Sequence, residues 1–162
     1  MTPITWSQAM SVGVAKLDQD HQTLLELINR IAEADEAPVT YTRIIPEVLV
    51  ILMAYTVYHF QREERVMIAC GYPDLETHRE EHWALTREVH LLQRRFSDDP
   101  HALTREEVLR FLTGWLNHHI MLQDMDYKAY CAGKPQAEAA AEEHGDFDLS
   151  TLLSLHDEPE HS

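Results

Sequence analysis

Three short spacings carry the chemistry of this chain. His59 and Glu63, in "HFQRE", lie four residues apart, as do His78 and His82 in "HREEH". His119 and Asp124, in "HIMLQD", lie five apart, and His21 stands alone near the N-terminus. On a helix, residues i and i+4 are neighbours on one face, about 5–6 Å apart at Cβ. His78 and His82 can therefore chelate one metal ion. The i, i+5 spacing is looser but still brackets one face across more than a turn. The set is five imidazoles and two carboxylates. Imidazole suits iron, zinc and copper, and carboxylates add hard oxygen donors. A structural zinc site closes with about four ligands and usually includes thiolate. Seven ligands are too many for one ion, whereas two ions bridged by two carboxylates fit the count. The setting points the same way. Val48–Tyr58, "VLVILMAYTVY", is close to uniformly apolar and runs directly into His59 and Glu63. A carboxylate buried there without a partner costs several kcal/mol, so an interior role for Glu63 requires positive charge beside it.

The elements that must position these groups read as helices. Gly and Pro are sparse, and alternating β-branched runs are absent. The apolar stripe Leu24, Leu25, Leu27, Ile28, Ile31 predicts a helix over Asp18–Ala37, with Pro38 as its stop. A second is expected over Tyr41–Cys70, with Pro46 close enough to its start to be tolerated. Gly71 and Pro73 end it. A third spans Asp74–Phe96. A fourth, with a capping box from Thr104 and Glu107, runs to Tyr130. Short connections imply an all-α, antiparallel up-down-up-down four-helix bundle over residues 18–133. An N-terminal arm, residues 1–17, precedes it, and an acidic extension, residues 134–162, follows. At a rise of about 1.5 Å per residue, His21, His59, His78, His82 and His119 fall at similar depth from one end of such a bundle.

Composition narrows the function. The 162 residues suggest one domain, and a formal net charge of −15 disfavours nucleic acid and anionic membranes. No uninterrupted apolar run reaches the roughly 18 residues of a membrane span. "MTPITWSQAM" has no signal-peptide pattern. Cys70 and Cys131 make no disulfide framework and read as free thiols of a cytoplasmic protein. Of the 11 histidines, His90, His101, His118, His144, His156 and His161 read as solvated or surface residues. Glu64 is expected to face solvent, Asp18 to cap the first helix or else orient a ligand, and Gly114 to permit close helix approach. The extension reads as a solvated acidic tail, with a helix docking on the bundle or on a partner as the alternative, and "DLSTLLSLH" (Asp148–His156) could form a short amphipathic helix within it.

The pattern of His21, His59, Glu63, His78, His82, His119 and Asp124, with "VGVAKLDQDH", "GYPD" and "WLNHHI" around it, resembles the hemerythrin family in its bacterial branch, the bacteriohemerythrins. The resemblance covers roughly residues 4–130. One departure is Asp20, where the family more often has Gln, which alters hydrogen bonding near His21 but removes no ligand. The resemblance implies two iron ions per chain with an oxo or hydroxo bridge. His78, His82 and His119 would bind one iron and His21 and His59 the other, with Glu63 and Asp124 bridging. One coordination position would be open, on the His21/His59 iron, with O2 as its ligand. Phe60, Trp115, Leu116 and Ile120 would line the O2 pocket, and Trp115 and Leu116 equally suit a plain core.

The implied function is reversible O2 binding for storage, delivery or scavenging, not enzymatic catalysis. The partner would be O2 itself, with an oxygen-using enzyme or a redox protein receiving it, and a monomer is favoured. The alternatives are an O2, redox or NO sensing module, or a diiron peroxidase or NO-detoxifying enzyme. The five-histidine set sits poorly with the carboxylate-dominated sites of diiron oxygen-activating enzymes.

Overall fold

The computed structural model describes residues 3–34 and 38–147. Among them there is no strand. The helices are α1 (Ala15–Glu33), α2 (Pro38–Cys70), α3 (Leu75–Asp98), α4 (Arg105–His118), α5 (Asp124–Cys131) and α6 (Pro135–Glu143). A π-helical segment, His119–Gln123, joins α4 to α5, so these three make up the fourth helix of the bundle. The expected Asp148–His156 helix lies outside the described residues.

Local chemistry explains most boundaries. Thr104 Oγ1 accepts from the Glu107 amide at 3.2 Å, and Glu107 Oε2 accepts from the Thr104 amide at 2.7 Å. This reciprocal cap satisfies two otherwise orphaned N–H groups at the start of α4. Gly71 adopts φ +66° after α2, the left-handed conformation that glycine reaches without a Cβ penalty. Two expectations are corrected. Pro38 does not end a helix; it opens α2, where its missing N–H would have no partner anyway. That early start leaves Pro46 inside the helix rather than in its first turn. Helix α1 starts at Ala15, not Asp18. Asp18 ties down the arm instead: it accepts from Ser11 Oγ at 2.6 Å and from the Val12 amide at 2.8 Å. The arm is built into the fold, with Val12 and Val14 fully buried and Ile4 paired with the Asn29 side chain through both backbone groups.

Two apolar clusters flank a polar layer. The larger runs from Leu24 to Ile31 on α1 through Val48 to Phe60, Leu85 to Phe96 and Val108 to Ile120. The smaller gathers Val12, Val14, Leu17, Val66, Met67, Tyr127 and Cys131. Ala137 and Ala141 of α6 belong to this smaller cluster and are fully buried. The start of the extension is thus not a solvated tail: α6 packs on α2 and α1. Its alanines have nothing polar to hydrate and let the helix approach closely. By length and average composition the Thr42–Cys70 stretch of α2 would suffice to cross a bilayer. Here it packs against α1, α3 and α6 as the central helix of the bundle, and it carries buried His59, Arg62 and Glu63. Gly114 mediates no close approach, because a Cβ there would meet nothing within 4 Å.

Candidate metal centre

His21 from α1, His59 and Glu63 from α2, His78 and His82 from α3, His119 from the π segment and Asp124 from α5 converge between the two apolar clusters. All are buried, and five of them have no exposed surface at all. Their donor atoms fall into two groups, each within 4.8 Å: His21, His59, Glu63, His119, Asp124, and Glu63, His78, His82, His119, Asp124. Glu63, Asp124 and His119 belong to both.

The Glu63 carboxylate faces both ways. Its Oε1 lies 3.3 Å from His21 Nε2 and 3.1 Å from His59 Nε2. Its Oε2 lies 2.7 Å from His82 Nε2, 3.3 Å from His119 Nε2 and 3.8 Å from His78 Nε2. Asp124 also spans the centre: Oδ1 is 3.3 Å from His78 Nε2, and Oδ2 is 3.0 Å from both His21 and His119. The two carboxylates disagree about His119. Glu63 groups it with His78 and His82, and Asp124 groups it with His21. The Glu63 division places two imidazoles on one side and three on the other.

The i, i+5 spacing has a local cause. In an α-helix five residues turn about 500°, so His119 and Asp124 would point roughly 140° apart. The chain instead forms the i→i+5 bond of a π-helix, from the Asp124 amide to the His119 carbonyl. This inserts one residue per turn and aims both side chains at the centre.

Most of the imidazoles are oriented through their second nitrogen. His59 Nδ1 lies 2.9 Å from Asp20 Oδ2, His82 Nδ1 3.1 Å from Glu64 Oε1, and His119 Nδ1 3.2 Å from Gln123 Oε1. Such partners fix tautomer and ring direction in metal sites. Asp20 therefore acts on His59, across the helix interface, rather than on its neighbour His21. Glu64 is not fully solvent-facing: it serves His82, which draws its carboxyl below the ordinary range despite partial burial. The Tyr127 hydroxyl donates to Glu63 Oε1 at 2.9 Å. Tyr127, Gln123, Arg62 and Tyr55 were not anticipated from sequence. The available signal was helical spacing: Tyr127 follows Asp124 by three residues and Arg62 follows His59 by three.

Without metal the layer is electrostatically tense. Burial opposes ionisation of Glu63, but the surrounding His59 and His119 outweigh it and hold the carboxyl well below its usual range. Burial and the Glu63 charge both push the Asp124 carboxyl up, yet His119 and His21 prevail and hold it at about 2. Burial likewise opposes protonation of His59 and His78, and the facing carboxylates raise both to about 9. Part of the donor set nonetheless lacks hydrogen bonds: His59 Nε2, His78 Nε2, His119 Nε2 and both Asp124 oxygens are buried without a hydrogen-bond partner. Five convergent, enclosed atoms left without partners fit a cation set, since buried polar groups otherwise find partners.

The sequence-predicted pocket residues lie beside this layer. Phe60 stacks on His82, with centroids 3.9 Å apart and planes at 3°. It is 5.9 Å from His59, so its closest ring belongs to the three-histidine side rather than to the His21/His59 side. Leu116 and Ile120 are buried in the larger cluster. Trp115 is buried too, with its indole N–H donating to the Leu85 carbonyl at 3.1 Å, and so has a core role. His118, His90 and His101 are exposed as expected, whereas His144 is half-buried and bonded to the Tyr58 carbonyl. Cys70 and Cys131 are free thiols.

An all-α bundle whose core holds a buried histidine–carboxylate layer able to bind metal defines the class of this protein. Residues 12–131 match the family described as Hemerythrin HHE cation binding domain. The chain belongs to the hemerythrin family. It is 35% identical over 147 residues to a bacteriohemerythrin of Ralstonia nicotianae, covering 87% of this chain and all of that one. It is 29% identical over 124 residues to a bacteriohemerythrin of Clostridium acetobutylicum, covering 75% and 96%. A crystal structure of wild-type hemerythrin superimposes with a TM-score of 0.70 at 28% identity, covering 82% of this chain and 100% of that one.

Proposed function

We propose that the protein binds O2 reversibly at a non-heme, carboxylate-bridged diiron centre, as a carrier, store or delivery protein. The observation that carries this reading is the Glu63 carboxylate, whose two oxygens face different histidine sets. A carboxylate so placed can bridge two ions, and five imidazoles supply the remaining donors. His78, His82 and His119 would hold one iron and His21 and His59 the other, with Asp124 as second bridge. The side with only two imidazoles then has fewer protein donors, which leaves room for an exogenous ligand. When bound, the iron pair supplies the reversible two-electron chemistry that O2 binding needs.

The protein's own groups do the rest. Asp20, Glu64 and Gln123 hold imidazole orientation, and Tyr127 holds a proton on the Glu63 Oε1 side. Phe60, Leu116 and Ile120 exclude water. No uncommitted acid or base faces the layer among the described residues: Tyr127 already donates to Glu63, and burial with the nearby carboxylates holds its hydroxyl protonated. This supports binding over oxygen activation. We assign the protein to the cytoplasm, with an oxygen-using enzyme or a redox protein as the recipient.

Metal analysis with aerobic and anaerobic absorption spectra tests the proposal. About two irons per chain and an oxygenated spectrum that disappears under vacuum are expected. A single zinc, or irreversible oxidation within seconds, would overturn it.

A further inference from the structure

Arg62 is one of the largest fully enclosed side chains in the protein, at 2% exposure, although arginine is almost never buried without partners. Its Nη1 lies 2.5 Å from Asp20 Oδ1. Its Nη2 donates to the Tyr58 hydroxyl and to the carbonyl of Gly145, in the segment that follows α6. The Tyr58 hydroxyl donates to the same carbonyl. Asp20 accepts a further bond from the Tyr55 hydroxyl at 2.8 Å and turns its other oxygen to His59 Nδ1. An unbroken polar path therefore runs from the backbone of residue 145 through Arg62 and Asp20 to His59, across 86 residues of sequence.

The segment is seated by several independent contacts. His144 Nε2 lies 3.0 Å from the Tyr58 carbonyl. The Phe147 ring packs at 5.4 Å from Tyr55 and 5.1 Å from Tyr58. Glu138 accepts from the Ala15 amide at 3.0 Å, and Lys16 pairs with Asp146 at 3.1 Å. Gly145 adopts φ +77°, which turns the chain back over α2. The other side of the centre is built differently. There His82 is oriented by Glu64, which is 26% exposed and, among the described residues, has no hydrogen bond or ion pair with the extension.

We propose that Arg62 is a positioning residue for His59 and that the segment from α6 to Phe147 is a strap completing its site, so that the extension tunes one half of the metal centre selectively. The physical reason is desolvation. Asp20 can hold His59 as a buried carboxylate only if Arg62 neutralises it. Arg62 can be buried there only if its second edge finds acceptors, and the strap supplies the backbone one. Loosening the strap admits water to Arg62, weakens its hold on Asp20 and frees the His59 ring.

The inference rests on the diiron reading, and its test separates the two. Full-length iron-loaded protein is compared with Arg62→Gln, Arg62→Lys, Gly145→Val and the Arg62→Gln/Gly145→Val double variant. A Cβ at Gly145 meets nothing within 4 Å, and its φ of +77° is one that a β-branched residue rarely adopts, so the substitution strains the backbone there. Iron transfer to a chelator is followed while Mössbauer spectra distinguish the two irons and circular dichroism monitors the fold. Arg62→Gln should speed loss of one iron about tenfold or more and leave the other near the parental rate. Arg62→Lys should recover part of the loss. Gly145→Val should speed loss of the same iron by a smaller factor, and the double variant should be no faster than Arg62→Gln, because both changes act on one network. Equal acceleration of both irons, multiplying effects, or an inert Gly145→Val would overturn the strap. Amide exchange across residues 55–62 of the metal-free protein gives a readout without iron: Gly145→Val should increase it, and unchanged exchange counts against the proposal. The parent's own iron count decides the diiron reading separately.

Discussion

Tyr127 Oη donates to Glu63 Oε1 at 2.9 Å, from near the end of the bundle's fourth helix to the last third of its second. Both side chains are completely enclosed. The bond gives the carboxylate a proton donor on the side that also faces His21 and His59. Removing the hydroxyl leaves a buried carboxylate oxygen short of a donor, which costs about 1–3 kcal/mol. Tyr127→Phe should therefore lower the unfolding free energy of the metal-free protein by about that amount, measured in urea. A neutral result would show that water or an imidazole takes over the hydroxyl's place.

Glu63→Ala removes the only side chain among the described residues that faces all five histidines of the layer. The variant should fold with parental helix content and bind at most about one iron per chain instead of about two. Iron analysis beside far-ultraviolet circular dichroism checks this. Full iron content in the variant would contradict a bridging role.

Phe60→Ala deletes the ring stacked on His82. The loss should amount to about 3–5 kcal/mol from the cavity and lost transfer energy. Phe60→Leu should recover most of the stability but not the flat contact that fixes the His82 ring. Thermal unfolding of the pair separates packing from ring positioning. Equal stabilities for the two variants would mean that the site collapses around the gap.

The metal-free protein should be most stable in mild acid. His59 and His78 are held at about 9 in the fold, against about 6.5 for an unperturbed histidine. Their folded values are raised, so the protonated forms contribute stability below about pH 6.5, and this fades as pH rises toward 9. Asp124 behaves oppositely. Held at about 2, it contributes above its unfolded value near 3.9 and loses that contribution on acidification. Urea midpoints should fall between about pH 6 and 9, and metal should bind more tightly over the same interval because it displaces these protons. Midpoints that rise with pH in the metal-free state would refute the assignment.

Much of the site was legible because helical spacing is local. His78 and His82, or His59 and Glu63, share a face whatever the rest of the chain does, and the type and number of donors point to a metal pair. The fold was legible for a related reason: apolar stripes of helical period and short Gly- and Pro-marked connections leave few alternatives to a bundle. The π segment was less visible. The spacing of His119 and Asp124 fits poorly on an α-helix, yet nothing in "HIMLQ" announces a backbone change. Docking of the extension stood only as the second reading because its alanine-rich start offers little apolar signal of its own, and its docking depends on small residues meeting α2.

The sequence by itself determined which side chains could bind metal, and roughly at what depth each helix carries them. Only the tertiary structure decided which oxygen of Glu63 faces which imidazole, that Asp20 serves His59 rather than its neighbour, and that Arg62 is buried beneath the chain at Gly145. The reason is the range of the interactions. Contacts within one helix follow from its repeat, but partners on different helices are set by rotation and register, which the packing of the whole core fixes at once.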